Sequence, residues 1–233
     1  MMNGTIVVFG VNWIGDALMS LPVYAALRRR FPGSRLILIT HARVRDLFLH
    51  NPHIDRLVCV DKKLSLPRLA GLIPLMRRER AETVILLRPS LGQAVAARLS
   101  GAAKVVSHTK RGRSVPGTVS VPFDPALHRM DVYLSLVRSL DAETDPADYG
   151  FALTPEEERY GSERRNELPL DKKIVVLHPR TNWELKSWPP AYFAGLADRL
   201  VRERGVTVVF TGTREDQPLV RSVMDAMAED AVD

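Results

Sequence analysis

The sequence predicts an α/β protein made of two Rossmann-like, doubly wound domains, the second of them incomplete. Three observations carry this. From Thr5 to Thr109, short β-branched apolar runs alternate with amphipathic stretches, the rhythm of a parallel sheet covered by helices. The series opens on "VVFGVNWIGDALMSLPVYAAL", Val7 to Leu27, which reads as an apolar strand, a glycine turn and a helix. A second βα series begins at Lys173 and stops after two strands.

The elements follow in order. "TIVVFG" is a strand and "DALMSLPVYAALRRRFP" a helix that ends before Pro32; "RLILIT" is the second strand and "RVRDLFLHNP" the next helix. "RLVCVD" is a third strand. The basic amphipathic "LPRLAGLIPLMRRERA" follows as a helical segment, in which Pro67 and Pro74 argue against a long regular helix and packing on the sheet is expected over lying on a membrane. "TVILLRP" is a fourth strand, "SLGQAVAARLSGA" a helix with a Ser90 cap and Gly101 at its end, and "KVVSHT" a fifth strand. From Ser107 to Pro125 the rhythm breaks into a basic loop rich in glycine and proline, followed by the helical "ALHRMDVYLSLVRSL". These elements form the first domain, residues 1–150. Residues 151–172 are polar and form a connection with one short helix. The second domain, 173–233, carries "KIVVLHP", the helix "PPAYFAGLADRLVRERG", "VTVVFTG" and the helix "EDQPLVRSVMDAMAE". Two strands and two helices cannot bury both faces of a parallel sheet. Further βα units are therefore expected, from a longer chain or from another chain.

Composition narrows the function. With 233 residues, 45% hydrophobic and 26% charged, the chain is of ordinary globular make-up, and its net charge of +6 favours anionic partners. A single cysteine, Cys59, permits no internal disulfide and suits a reducing cytoplasm. No apolar run approaches the roughly 20 residues of a membrane span. The six histidines include no pair with metal-ligand spacing; His50 and His53 flank a turn, and His128 and Asp131 read as a helix-surface pair, so no metal is expected.

The glycine turn is the first informative stretch. "GVNWIG" departs from the dinucleotide fingerprint because Asn12 stands where a middle glycine would let backbone approach a pyrophosphate. As a P-loop it fails at Asp16-Ala17, where Lys-Ser/Thr is needed. The turn is therefore not expected to hold phosphate. Asp16 admits two readings: a helix N-terminal acid favoured by the macrodipole, or a general base at the C-terminal edge of a parallel sheet. The second stretch is "LHPRTNWELKSWPPAYFAGLADRL". Its loop carries Arg180, Thr181 and Lys186 just before a helix N-terminus, a place suited to a diphosphate. Lys186 as a solvated charge and Trp188 as a hydrophobic staple fit equally.

Together the segments "NWIGDALMSLPVYAAL", "ILLRPSLGQAVAARLSGA", "HRMDVYLSLVRSL", "LHPRTNWELKSWPPAYFAGLADRL" and "VVFTGTRED" resemble the ADP-heptose:lipopolysaccharide heptosyltransferases, in the family's order and across nearly the whole chain. The resemblance implies a GT-B fold. Its N-terminal domain takes the lipopolysaccharide acceptor and its C-terminal domain the nucleotide sugar. Heptose passes from ADP-heptose to an inner-core sugar with inversion, without a metal or a cofactor beyond the substrate itself. It implies that Asp16 is the base that removes the acceptor hydroxyl proton, with Asn12 and Trp13 beside it on the acceptor. Lys186, Thr181 and Arg180 would meet the diphosphate, and Glu215, or its neighbour Asp216, the ribose. Lys110, Arg111 and Arg113, in the irregular loop, would meet the anionic lipid A and Kdo groups, although most charge runs are only solvated faces. A cytoplasmic monomer, peripheral on the inner membrane, is expected. Two departures stand out. Pro179-Arg180-Thr181 replaces the family's Pro-Gly-Ala, so that Arg180 would substitute with its side chain for a backbone approach. The later Asp-Ser/Thr-Gly-Pro-x-His donor turn does not occur before Asp233, which leaves the activity of the chain by itself open.

Three alternatives compete. A related transferase could use another nucleotide sugar. A basic nucleic-acid-binding module would need aromatic residues interleaved on a basic face, and "HTKRGR" contains none. A nicotinamide oxidoreductase is disfavoured by Asn12 and Asp16.

Overall fold

The computed structural model describes residues 4–61, 65–109, 118–169, 171–181 and 183–232. Lys110, Arg111 and Arg113 lie outside them. Two compact units divide the chain, one ending at Thr154 and the other beginning at Pro155.

The first unit is a six-stranded parallel sheet. Its strands are β1 (Thr5–Phe9), β2 (Arg35–His41), β3 (Arg56–Val60), β4 (Ala81–Leu86), β5 (Lys104–His108) and β6 (Val119–Val121), in spatial order β3-β2-β1-β4-β5-β6. The sequence of order reverses between β1 and β4, which opens a crevice beyond the strands' C-terminal ends. Period-2 alternation divides the strand residues between two cores. Ile6, Val8, Leu36, Leu38, Ile85 and Val106 pack under α1 (Ile14–Arg30) and α4 (Arg129–Arg138). Val7, Phe9, Ile37, Ile39, Val84, Leu86 and Val105 pack under α2 (Leu66–Arg78) and α3 (Leu91–Leu99). Burial on both faces is why these strands read as unbroken apolar runs.

The caps account for several boundaries. Ser90 Oγ accepts from Gln93 N at 3.4 Å at the start of α3, and Gly101, with φ at 96°, ends it in a backbone region that other residues avoid. Three local expectations give way. The segment after β2 is a short 3-10 helix, Ala42–Leu47, because its apolar residues have only Val44 and Phe48 to bury. The α2 helix runs for 13 residues in spite of two prolines: Pro67 sits in the first turn, where no N–H is needed, and Leu69, Leu72 and Met76 hold the rest on the sheet. The basic loop contains β6, which extends the sheet by pairing with β5, a pairing too short to show as periodicity.

The second unit holds α5 (Pro155–Asn166), β7 (Ile174–Leu177), α6 (Pro190–Arg204), β8 (Thr207–Phe210) and α7 (Gln217–Met224). β7 and β8 pair in parallel, and Val232 adds a parallel bridge to Val209. Helices α6 and α7 bury Val208, Phe210, Val175 and Leu177 on one face. Val176, pointing the other way, is 59% exposed. The expectation that two strands and two helices leave a sheet face uncovered matches this arrangement. The terminal helix is shorter than its apolar pattern suggested. A 3-10 turn at Arg214–Asp216 takes up its first residues, and the helix ends at Met224. Trp188 stacks edge-on against Phe193 with centroids 5.5 Å apart, one residue before the Pro189 cap and at the fourth helical position, which is a hydrophobic staple.

Candidate active site

The glycine turn is shaped by the sheet. Gly10 N donates to Ile39 O at 2.8 Å, and Thr40 Oγ1 donates to Val11 O at 2.9 Å, so the chain leaves β1 pressed against β2. A Cβ on Gly10 would come within 2.9 Å of Leu38 Cδ1 and 3.0 Å of Thr40 Oγ1, so both side chains would have to shift to admit one. Helix α1 then starts at Ile14 with Trp13 as its cap residue, and Asp16 is its third residue. The Trp13 side chain makes no capping bond, and Asp16 is not spent on the helix's own N–H groups among the described residues. The carboxylate turns instead to α4: Tyr133 Oη donates to Asp16 Oδ1 at 3.0 Å, and Arg129 Nε lies 3.8 Å from the same oxygen.

Asp16 sits on the wall of a cavity of about 400 Å³ lined also by Trp13, Arg88, His108, Phe123 and Tyr133. Its side chain is 29% exposed, open to a ligand yet flanked on one side. Burial above all, and then the adjacent Asp16 charge, pushes the Tyr133 phenol well above its usual range, so the hydroxyl stays protonated and remains a donor. His108 is 1% exposed. Its Nε2 lies 2.8 Å from Val132 O, and its Nδ1 has no partner among the described residues. A second cavity of about 320 Å³, at the reversal point, is lined by Gly10, Asn12, Thr40, His41, Arg88 and Gln93. Arg88 borders both cavities. Trp13 is half exposed under the Arg43 guanidinium, 4.9 Å from the ring centre. The rim around Asp16 therefore carries three arginines, Arg43, Arg88 and Arg129, and a flat indole, a surface suited to an anionic sugar.

In the second unit the candidate donor residues lie on the loop after β7. Arg180 and Thr181 line a cavity of about 400 Å³ with Pro179, Ser187, Trp188, Pro190 and Leu219. Arg180 Nε is 3.5 Å from Asp216 Oδ1, and Thr181 Oγ1 accepts from Trp183 N at 3.4 Å. Lys186 lies outside that lining, with its ammonium 5.0 Å above the Trp183 ring. Glu215 is exposed. Its neighbour Asp216 is buried and holds Thr213 in a reciprocal cap, accepting from Thr213 N and Oγ1, both at 2.8 Å. Those two bonds, with Arg180 behind them, hold its carboxyl below the usual range.

The sequence reading placed Asp16, Asn12 and Trp13 together; in the structure Asp16 and Trp13 line the first cavity and Asn12 the second, with Arg88 bordering both. It passed over Arg129, Tyr133, Arg88 and His108. In "HRMDVY" the reading weighed His128 and Asp131. Instead His128 caps α4, accepting from Met130 N at 3.4 Å, and Asp131 pairs with Arg138 at 3.5 Å. The two residues that reach Asp16 are Arg129 and Tyr133, spaced by four on one helix face. That spacing was visible, but nothing in the sequence said which face of α4 meets α1.

A family model described as glycosyltransferase family 9 (heptosyltransferase) matches residues 71–232. Among solved structures, the chain is similar to a family 9 glycosyl transferase from Veillonella parvula, with a TM-score of 0.82 at 22% identity, covering 100% of this chain and 70% of that one. It is similar to the ADP-heptose LPS heptosyltransferase II of E. coli, with a TM-score of 0.74 at 20% identity over 96% of this chain and 69% of that one. It is also similar to E. coli heptosyltransferase WaaC with ADP, with a TM-score of 0.65 at 14% identity over 98% and 75%. A search of curated protein sequences finds no match. At these identities the structural likeness speaks for the fold.

Proposed function

We propose that this chain, which belongs to glycosyltransferase family 9, transfers L-glycero-D-manno-heptose from ADP-heptose to the inner core of lipopolysaccharide, inverting the anomeric centre without a metal. One observation carries the reading: the carboxylate of Asp16, in the first turn of α1, stands in the wall of an open cavity at the C-terminal edge of the parallel sheet and makes no hydrogen bond to the helix's own N–H groups among the described residues. In the proposed step, Asp16 takes the proton of the acceptor hydroxyl. The freed oxygen pair forms the bond to the anomeric carbon, the bond from that carbon to the diphosphate oxygen breaks, and ADP leaves with the electron pair. Lys186, Arg180 and Thr181 bind the diphosphate, and an acid at 215–216 meets the ribose. Of that pair, exposed Glu215 is the available one, because the Asp216 carboxylate is already committed to Thr213. Asn12, Trp13 and the basic rim take the acceptor, whose phosphates and acidic sugars suit Arg43, Arg88 and Arg129. Lys110, Arg111 and Arg113 belong to the same proposal. No described helix is long and apolar enough to cross a membrane, and we place the enzyme as a cytoplasmic monomer, peripheral at the inner membrane, with no nucleic-acid partner.

The test is Asp16→Ala. Transfer from ADP-heptose to a Kdo–lipid A acceptor is expected to fall by about 10² to 10⁴. Titration calorimetry should show ADP binding unchanged. Turnover at the parent rate would remove Asp16 from the chemistry.

A further inference from the structure

Resting on the assignment of Asp16 as the base, we propose that Tyr133 is its positioning residue and that Oδ2, not Oδ1, is the oxygen that accepts the proton. The geometry is one-sided. The Tyr133 hydroxyl donates to Oδ1 at 3.0 Å, and the Arg129 guanidinium approaches that same oxygen at 3.8 Å. Oδ2 has no hydrogen bond among the described residues, and the carboxylate borders open cavity.

The two contacts come from one face of α4, four residues apart, and α4 is itself fixed. Tyr133, Leu134 and Val137 are buried in the core shared with α1, and the Val132 carbonyl between the two contacts accepts from buried His108. Asp16 stands in the first turn of α1, with no capping bond to hold its rotamer. A short carboxylate there can swing about its first side-chain torsion between staggered wells. A hydroxyl anchored in the core and bonded to one oxygen selects a single well. The second oxygen is then aimed into the cavity before an acceptor arrives, which is the ordering that a general base needs. The Tyr133 phenol, kept protonated by its burial, cannot itself compete for the acceptor's proton.

Tyr133→Phe removes the hydroxyl and keeps the ring that packs in the core. Losing one hydrogen bond to a charged group should lower kcat about tenfold, with the KM values for ADP-heptose and a Kdo–lipid A acceptor unchanged. In an Asp16→Asn background, Tyr133→Phe should cost nothing further, because it acts through the carboxylate. The bond itself is checked without turnover. In thermal melts of Asp16→Ala, which removes the acceptor oxygen, of Tyr133→Phe and of the two combined, the shifts should be non-additive. A kcat within twofold of the parent, a rise in KM at constant kcat, or additive melting shifts would each overturn the positioning role. A fully active Asp16→Asn variant would instead sink the base assignment. An inactive Asp16→Asn beside an unaltered Tyr133→Phe would leave that assignment standing and refute only this inference.

Discussion

The two units place their candidate groups on the same kind of element, the loop or helix start that follows a parallel strand, yet they hold them differently. In the first unit Asp16 is gripped by Tyr133 from a helix buried in the core, and the sheet beneath it is covered on both faces. In the second, Lys186 rests on the face of Trp183, itself 56% exposed. The contrast follows from what each group would do. A base transfers a proton over hydrogen-bond distance, so an error of about 1 Å in its placement is costly. A cation that offsets diphosphate charge acts through a Coulomb term that falls only as 1/r, so it tolerates a mobile stem. A carboxylate held by a buried helix and an ammonium resting on an exposed ring are compatible with the proposed division of labour.

The loss of rate at Asp16→Ala is the largest effect expected, and it sharpens the contrast if Lys186→Ala changes a different quantity. The next largest lies in the cores. Leu38 on β2 is fully buried, and Leu38→Ala should cost about 2–5 kcal/mol in urea unfolding. Leu177 on β7 is only half-buried, and Leu177→Ala should cost less than Leu38→Ala because water already reaches part of its side chain. Equal costs would mean that the second unit is as tightly packed as the first, and the comparison would fail.

Much of the fold was legible because strands show as short apolar runs, seven of which punctuate the sequence, and the runs are least interrupted in β1, β2, β4 and β5, which are buried on both faces. β6 was not legible. Its three residues, Val119 to Val121, draw their stability from pairing with β5, a tertiary fact with no local signature. The short helix after β2 was over-read for the same reason: an apolar pattern marks a buried segment but not how many turns the neighbours leave room for. At the site, Asp16 was visible as a misfit, a carboxylate where a phosphate loop would need lysine. Tyr133 was invisible because its meaning lies in a contact 117 residues away in sequence. The staple formed by Trp188 and the cap formed by Asp216 show the converse. Residues beside a donor loop that drew notice are engaged in building helix starts.

Lys186→Ala comes third. The ammonium makes no ion pair among the described residues, so its removal should leave stability within about 0.5 kcal/mol, as for other surface changes. It should weaken ADP binding by about ten- to a hundredfold, the worth of one charge-assisted contact. Calorimetry with ADP measures this directly, and an unchanged affinity would detach Lys186 from the donor. Lys186→Arg should recover part of the loss, since a positive charge at loose range is what is asked of it.

The smallest effect tests whether Asp216 is structural. Thr213 caps the turn into α7 and Asp216 answers it, so Thr213→Ala should cost about 0.5–2 kcal/mol at neutral pH. The Asp216 carboxyl is held below its usual value by Thr213 N, Thr213 Oγ1 and Arg180, in that order. A depressed folded-state value means that the unfolded chain takes up its proton first. The stabilisation is therefore complete above the unfolded value of about 3.9 and drains away as pH falls through the folded one. The penalty of Thr213→Ala in thermal melts should accordingly be full at pH 7 and shrink below about pH 4. Glu215→Ala, by contrast, removes an exposed side chain and should leave the melting temperature unaltered at either pH while weakening nucleotide binding. If Asp216→Asn rather than Glu215→Ala abolished ADP affinity without moving the melting temperature, the two neighbours would exchange roles. The loop after β8 would then hold its ribose contact as firmly as the first unit holds its base.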